Sequence, residues 1–427
     1  MSRRAAAIVT SCLVLTLGAG TAARSDVALE APFESEWIGS VETLPMPPSA
    51  HWVWVSDPLL ERLALIDLES ERTLGVIDGG WGIPTVLFSQ DGREVYVPET
   101  HYARRSRGER TDVVTVYDTR SLAARGEVVI PAKRAHNTQP AGNAALTDDG
   151  RFAAVFNMNP GTSLSIVDLR ELRFAGEIQT PGCSLVYGAG ARRFIMICAD
   201  GALLTVTLDD AGGAVSRARS QPFFDSIADP VTEKAVRTGD RWLFASFEGM
   251  LHAVDVSGDA PRFDKPWSLL SAEDRDAEWR VGGSQHLAVH HASGRLYSLV
   301  HQGGIDSHKD PGTELWVYDL AAKRRVQRIE LSNPGLTYLG ASLEFGQDWV
   351  WPFNLTYDAL LSLGGAGVSS VAVTQGDDPR LVTASAFSGA LGVYDATTGE
   401  FLGRVETTGN MISGSLHAPF PGTGGTR

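Results

Sequence analysis

Short apolar strands that end in aspartate recur along the chain with tight-turn signals between them, and together they predict an all-β fold, a seven-bladed β-propeller. Six copies are complete: Leu65-Ile66-Asp67, Val116-Tyr117-Asp118, Ile166-Val167-Asp168, Ala253-Val254-Asp255, Val317-Tyr318-Asp319 and Val393-Tyr394-Asp395. A degenerate seventh, Leu204 to Leu208, carries Thr207 where the aspartate should stand. From Asp67 to Asp395 the successive spacings are 51, 50, 39, 48, 64 and 76 residues. The turns agree, because Asp91-Gly92, Asp149-Gly150, Asp200-Gly201 and Ser293-Gly294 lie between apolar strands, where glycine supplies positive φ. Helical patterning is scarce, and Leu269 to Trp279, acidic early in the run, is the best place for a short helix. Each unit reads as one four-stranded blade. A single blade cannot bury both its faces, so the blades must pack around an axis as one domain.

Composition sets the outer bounds. The chain has 427 residues, 43% hydrophobic and 21% charged, which excludes disorder and a small disulfide scaffold. Its formal charge of -14 accompanies no basic tract longer than the cluster at Arg104, Arg105 and Arg107, so nucleic acid is excluded as a partner.

The N-terminus reads Arg3-Arg4, an apolar run from Ala5 to Leu17, then small residues ending Thr21-Ala22-Ala23, the pattern of a cleaved secretory signal. The run is too short to span a bilayer, which takes about twenty residues, so the mature protein is expected outside the cytoplasm and not in a membrane. The domain plan is therefore a signal peptide at 1–23, an N-terminal arm at 24–40, one propeller domain at 41–415 and a C-terminal tail at 416–427. An insertion is expected at about 332–365. Within it, Thr337 to Gly365 carries Tyr338, Phe345, Trp349, Trp351, Phe353 and Tyr357. These aromatics read either as an extra hairpin packed on its own blade or as a partner-binding surface.

With Cys12 discarded in the signal, Cys183 and Cys198 remain, and an oxidising compartment makes them a disulfide. Gly188-Ala189-Gly190 between them suggests a hairpin stapled across its open end. Closing a loop of that size is worth about 3 kcal/mol in the chain-entropy model. A redox-active pair usually has the closer Cys-x-x-Cys spacing.

No nucleophile elbow, Walker loop, zinc motif or dinucleotide fingerprint occurs in a usable context, and Gly79-Gly80 and Gly282-Gly283 look like turns. Five of the ten histidines fall in residues 286 to 308, with His286 and His290 expected on one face of a strand. No cysteine lies near them and Asp306 and Asp310 are the close carboxylates, so no metal site is assigned. No carboxylate pair stands out for acid-base work. On its residues alone the chain is a secreted propeller without a visible catalytic constellation.

Several segments, read in order, resemble one family, the heavy (large) subunit of tryptophan tryptophylquinone-dependent amine dehydrogenases. They are Val76-Ile77-Asp78-Gly79-Gly80-Trp81, Ser106 to Val114, and the Cys183 to Cys198 hairpin followed by Asp200-Gly201. Further on come Pro266 to Leu270, Glu273-Asp274, Trp279, Gly282-Gly283, and His308-Lys309 leading into Trp316 to Asp319. The similarity runs from about residue 50 to about 405.

The resemblance implies a periplasmic α2β2 enzyme whose partner is a small cysteine-rich light subunit. That subunit, and not this chain, would carry the cofactor tryptophan tryptophylquinone, so none of the ten tryptophans here is assigned to it and no catalytic residue is expected in this chain. A primary amine and water would give aldehyde and ammonia, with two electrons leaving one at a time to a blue copper protein. By the same resemblance the aromatic residue after the Asp-Gly-Gly turn lines the amine channel. Here it is Trp81, in place of the phenylalanine expected for methylamine; ordinary packing at a blade edge is the competing reading. The stretch at 332–365 is longer than the family's usual connection. Two other functions stay open at this stage: a non-catalytic secreted propeller that binds a protein or ligand, and the propeller subunit of a quinohaemoprotein amine dehydrogenase.

Overall fold

Alternation along each strand settles how the molecule packs. In Trp52–Asp57 the even positions Trp52 and Trp54 pack with Val95 and Val97, while Val53 and Val55 pack with Val382 and Leu391 from the far end of the chain. One strand thus contributes to two cores, as successive side chains on opposite faces require. Repeated around the chain, this gives seven buried apolar clusters among the described residues, one between each pair of neighbouring blades. The computed structural model describes residues 43–427 apart from 139–140, 333–335, 339–340, 344–366, 386–387, 408–413 and 420–427. The predicted signal peptide at 1–23 and the N-terminal arm at 24–40 lie wholly outside the described residues.

Seven antiparallel sheets form the seven-bladed propeller. Blade 1 holds Trp52–Asp57, Arg62–Asp67 and Arg72–Asp78, and its innermost strand is Leu416–His417. Blade 2 runs Leu87–Phe88, Glu94–Arg104, Arg107–Asp118 and Ala124–Ile130, and blade 3 runs Ala144–Leu146, Phe152–Asn157, Ser163–Asp168 and Arg173–Gln179. Blade 4 comprises Cys183–Gly188, Arg193–Cys198, Leu203–Leu208 and Ala214–Arg219. In blade 5 two short segments, Arg262–Phe263 and Trp267–Ser268, share the outer edge of Met250–Asp255. In blade 6 the inner strand is split into Trp279–Val281 and Leu287–His290, both paired with Arg295–Gln302. Blade 7 is Ser370–Val373, Arg380–Ala384, Ala390–Asp395 and Phe401–Glu406.

The tail drawn at 416–427 loses its first residues to the propeller: Leu416 pairs with Val55 and His417 with Trp54, so the C-terminus closes the ring. The short helix is Ala272–Asp276, inside the predicted stretch. It starts with a capping box in which Ser271 and Asp274 satisfy each other's backbone N–H groups. The 332–365 stretch falls almost entirely outside the described residues; within it the backbone forms one small ladder, Leu336–Tyr338 with Ala341–Leu343.

The recurring aspartate ends the third strand of each blade, opposite the first residue of the second strand. Its carboxylate caps the turn to the outer strand: Asp395 Oδ1 accepts from the N–H groups of Thr397 and Thr398 at 2.8 and 2.7 Å, and Asp168 Oδ1 from Arg170 and Glu171. In blade 4 Thr207 pairs with Arg193 and so holds the aspartate's register, while Asp209, two residues on, caps the turn through Ala211 and Gly213. Cys183 and Cys198 are bonded and directly opposite in register, at the end of their hairpin away from its turn.

Candidate functional site

In a blade whose four strands alternate in direction, the outer-to-inner connections and the turns between second and third strands emerge at the same end of the propeller. Trp81 sits in the first such connection, from Asp78 to Leu87, and the long hairpin Glu94–Arg104/Arg107–Asp118 rises beside it. The local sequence explains the turn. Asp78 Oδ1 accepts from Gly80 N–H at 2.8 Å, and Trp81 N–H donates to Thr100 O at 2.8 Å. Gly80 has φ of 66°, and a Cβ there would lie 2.8 Å from the Thr100 nitrogen; one at Gly82, with φ of 100°, would collide with the His136 carbonyl oxygen. Glycine on both sides lets the backbone lie against blade 2 and leaves the indole outside the strands.

Trp81 is half-buried and belongs to none of the interblade clusters. Its ring meets Tyr102 edge-on, centroids 6.3 Å apart at 89°, and Tyr102 lies 6.4 Å from the His136 ring. Burial, then the nearby Arg110 charge, lowers the His136 pKa.

Beneath these rings lies a buried polar network. Asp112 is fully buried and its carboxylate accepts four hydrogen bonds: from Thr100 Oγ1 at 2.9 Å, from Arg110 Nε and Nη2 at 2.8 Å each, and from Arg134 N–H at 2.8 Å. That fills the capacity of an ionised carboxylate. Arg134, 2% exposed, donates through Nε to Thr100 Oγ1 at 3.0 Å and through Nη2 to the Trp81 carbonyl at 3.4 Å. Burial pushes its pKa down to about 10, and Asp112 opposes the shift, so it stays charged at neutral pH. Glu99, behind the same turn, accepts from Tyr117 Oη at 2.9 Å and Thr115 Oγ1 at 2.5 Å.

The histidine-rich segment serves packing. His286 falls in the interruption of the blade 6 inner strand, not within the strand, so the expected shared face with His290 is lost: the break between Val281 and Leu287 resets the alternation. His286 Nε2 approaches Thr232 Oγ1 at 3.3 Å, toward blade 5, whereas His290 Nε2 approaches the Gly376 carbonyl at 3.2 Å, toward blade 7. His301 meets Ser307 and His308 stacks on Phe247. Among the described residues no group of three or more His, Cys, Asp or Glu side chains is disposed to hold a metal ion. Gly282-Gly283 forms part of the same interruption.

A sequence profile described as methylamine dehydrogenase heavy chain matches residues 49–335, which takes in the Trp81 turn and runs through blade 6. The chain belongs to the methylamine dehydrogenase heavy chain family. The methylamine dehydrogenase heavy chain of Methylobacillus flagellatus is 25% identical over 419 residues, covering 95% of this chain and 96% of the relative. That of Paracoccus versutus is 27% identical over 367 residues, covering 85% and 78%. A solved structure of a functionally unknown protein from Desulfotomaculum acetoxidans shares the fold, with a TM-score of 0.54 at 12% identity, covering 86% of this chain and 98% of that one. In this member of the heavy chain family, the sequence singled out Trp81 and did not point to Asp112, Glu99 and Arg134 around it. A signal existed for two of them: Glu99 continues the buried phase of Val95 and Val97, and Asp112 that of Val114 and Val116.

Proposed function

We propose that this chain is the heavy subunit of a periplasmic quinoprotein amine dehydrogenase that oxidatively deaminates primary amines. The reaction takes R-CH2-NH2 and water to aldehyde and ammonia, releasing two electrons and two protons, and the electrons pass singly to a blue copper protein. The tryptophan tryptophylquinone that accepts the electrons from the amine belongs to a small cysteine-rich light subunit in an α2β2 assembly. This chain's contribution is to position that subunit and to shape the path of the amine. The carrying observation is the family match across blades 1 to 6 together with an indole held at the end face of the propeller, outside every interblade core.

Trp81 lines the amine channel. Its apolar, electron-rich face packs against an alkyl or aromatic group and attracts an ammonium by a cation-π contact of about 0.5–2 kcal/mol. Arg134 and Thr100 fix its backbone, so the ring is a preformed wall. The test is expression of this chain alone and together with the light subunit and its maturation machinery. Only the co-expressed complex is expected to show quinone absorbance and amine-dependent dye reduction. Amine turnover by the isolated chain would overturn the assignment of the chemistry to the partner.

A further inference from the structure

Around the propeller axis the starts of the inner strands enclose a cavity of about 220 Å³. Its wall includes Thr85, Gly142, Ser284, Ser370, Ser415 and, among these small residues, Lys234. Lys234 lies in the connection from blade 4 to blade 5, and its backbone surroundings are pinned: Thr232 N–H donates to Ala245 O at 2.8 Å and Tyr187 Oη to Glu233 O at 2.8 Å. The Lys234 side chain is 2% exposed, and among the described residues its Nζ has no hydrogen-bond acceptor. The Glu233 carboxylate, 3.9 Å away, is beyond hydrogen-bond distance and is itself 30% exposed. The other ionisable groups that feel Lys234 are Lys309, His286 and His308, none of which supplies negative charge.

An ammonium withdrawn from water without an acceptor is costly, and natural structures supply the acceptor. We propose that the axial cavity is a binding site for a small monocarboxylate whose oxygens accept from the Lys234 ammonium. One buried cation calls for a single negative charge. The Thr85 hydroxyl, buried without a partner among the described residues, can donate to a second oxygen, whereas Ser370 Oγ already donates to Gly414 O and Ser415 Oγ is engaged with Ser56 and His417. The apolar Val86, Ala144 and Leu287 on the same wall suit a short organic group. Burial lowers the Lys234 pKa, the Glu233 charge opposes the shift and Lys309 adds to it, and a bound anion would act in the same sense as Glu233.

The probe is acetate, added to the full-length mature chain at constant ionic strength made up with chloride. Acetate is expected to raise the melting temperature and to show saturation transfer from the protein to its methyl protons. Lys234→Met should weaken the acetate affinity by roughly tenfold or more, whereas Lys234→Arg, which keeps the charge, should retain it. Without acetate, Lys234→Met should melt no lower than the parent, because the orphan cation is gone. Equal acetate effects in parent and Lys234→Met, or no saturation transfer to acetate in the parent, would overturn the site. Stabilisation by phosphate but not acetate would overturn the carboxylate assignment. If Lys234→Met does not fold, saturation transfer in the parent and in Lys234→Arg decides the matter.

Discussion

Trp81 owes its position to its neighbours more than to itself. Gly80 and Gly82 take the backbone conformations that let the turn lie against Thr100 and His136, and Arg134 holds the Trp81 carbonyl from below. On the proposed channel role, such a ring would tune which amines pass without touching the bond that breaks. In the assembled enzyme, Trp81→Ala is expected to shift the kcat/KM ratio between short and bulky amines by roughly tenfold, about 1.4 kcal/mol in relative barrier, with the quinone spectrum unchanged. Unchanged ratios across methylamine, butylamine, phenylethylamine and tryptamine would return the residue to edge packing. The support beneath it is testable in the same turn. Asp112→Asn keeps one oxygen where four donors converge, takes the paired carboxylate from Arg110 and leaves Arg134 only the smaller influence of Glu99, so it should cost about 3 kcal/mol in urea unfolding. A loss below about 0.5 kcal/mol would show that Thr100 and solvent suffice as partners.

At the scale of strands and turns, much was legible because the signal repeats. The aspartates that marked the units turn out to cap the turn after each third strand, so a local hydrogen-bonding need wrote the period into the sequence. Blade 4 looked degenerate only because its cap moved from position 207 to Asp209. Closure was illegible: Leu416–His417 is two residues long, too short for any periodicity, and its partner Trp54-Val55 lies at the other end of the chain. Gln285 secures that closure. Its Nε2 donates to the carbonyls of Leu416 at 2.7 Å and Val371 at 3.2 Å, and its Oε1 accepts from Leu416 N–H at 2.9 Å. Gln285→Ala leaves buried backbone groups unpaired and should cost about 2 kcal/mol, with faster amide exchange at Leu416 as the local readout. The 337–365 stretch should behave oppositely. Blade 6 already has its outer strand in Arg324–Glu330, and blade 7 begins at Ser370–Val373, so both have their strands without it. Replacing 337–365 with a short glycine linker is expected to leave a folded, soluble chain with altered assembly at most; loss of all soluble protein would place those aromatics in a core.

For the molecule as a whole, seven interblade interfaces make one cooperative body, and the buried histidines couple its stability to pH. His286, His301 and His252 are 0%, 3% and 9% exposed, and burial lowers the pKa of each below its ordinary value. The unfolded chain titrates its histidines near about 6.5, so below that pH it binds protons that the folded chain refuses. Their contribution is therefore complete above about 6.5 and declines as pH falls toward the lowered folded values. His101 works in the other direction, because its hydrogen bond to Glu99 raises its pKa, but its side chain is 45% exposed and solvent weakens that effect. Asp149, Asp168 and Asp274 all have lowered pKa values and stay ionised through this window, so they do not contribute to the change until stronger acid. Calorimetry of the mature chain from pH 7.5 to 5 should show a steadily falling melting temperature, and His286→Gln, which keeps a group able to bond Thr232 but cannot take up the proton, should flatten the slope. A melting temperature that rises on acidification would mean that the raised pKa of His101, and not the buried His286, His301 and His252, governs the neutral range.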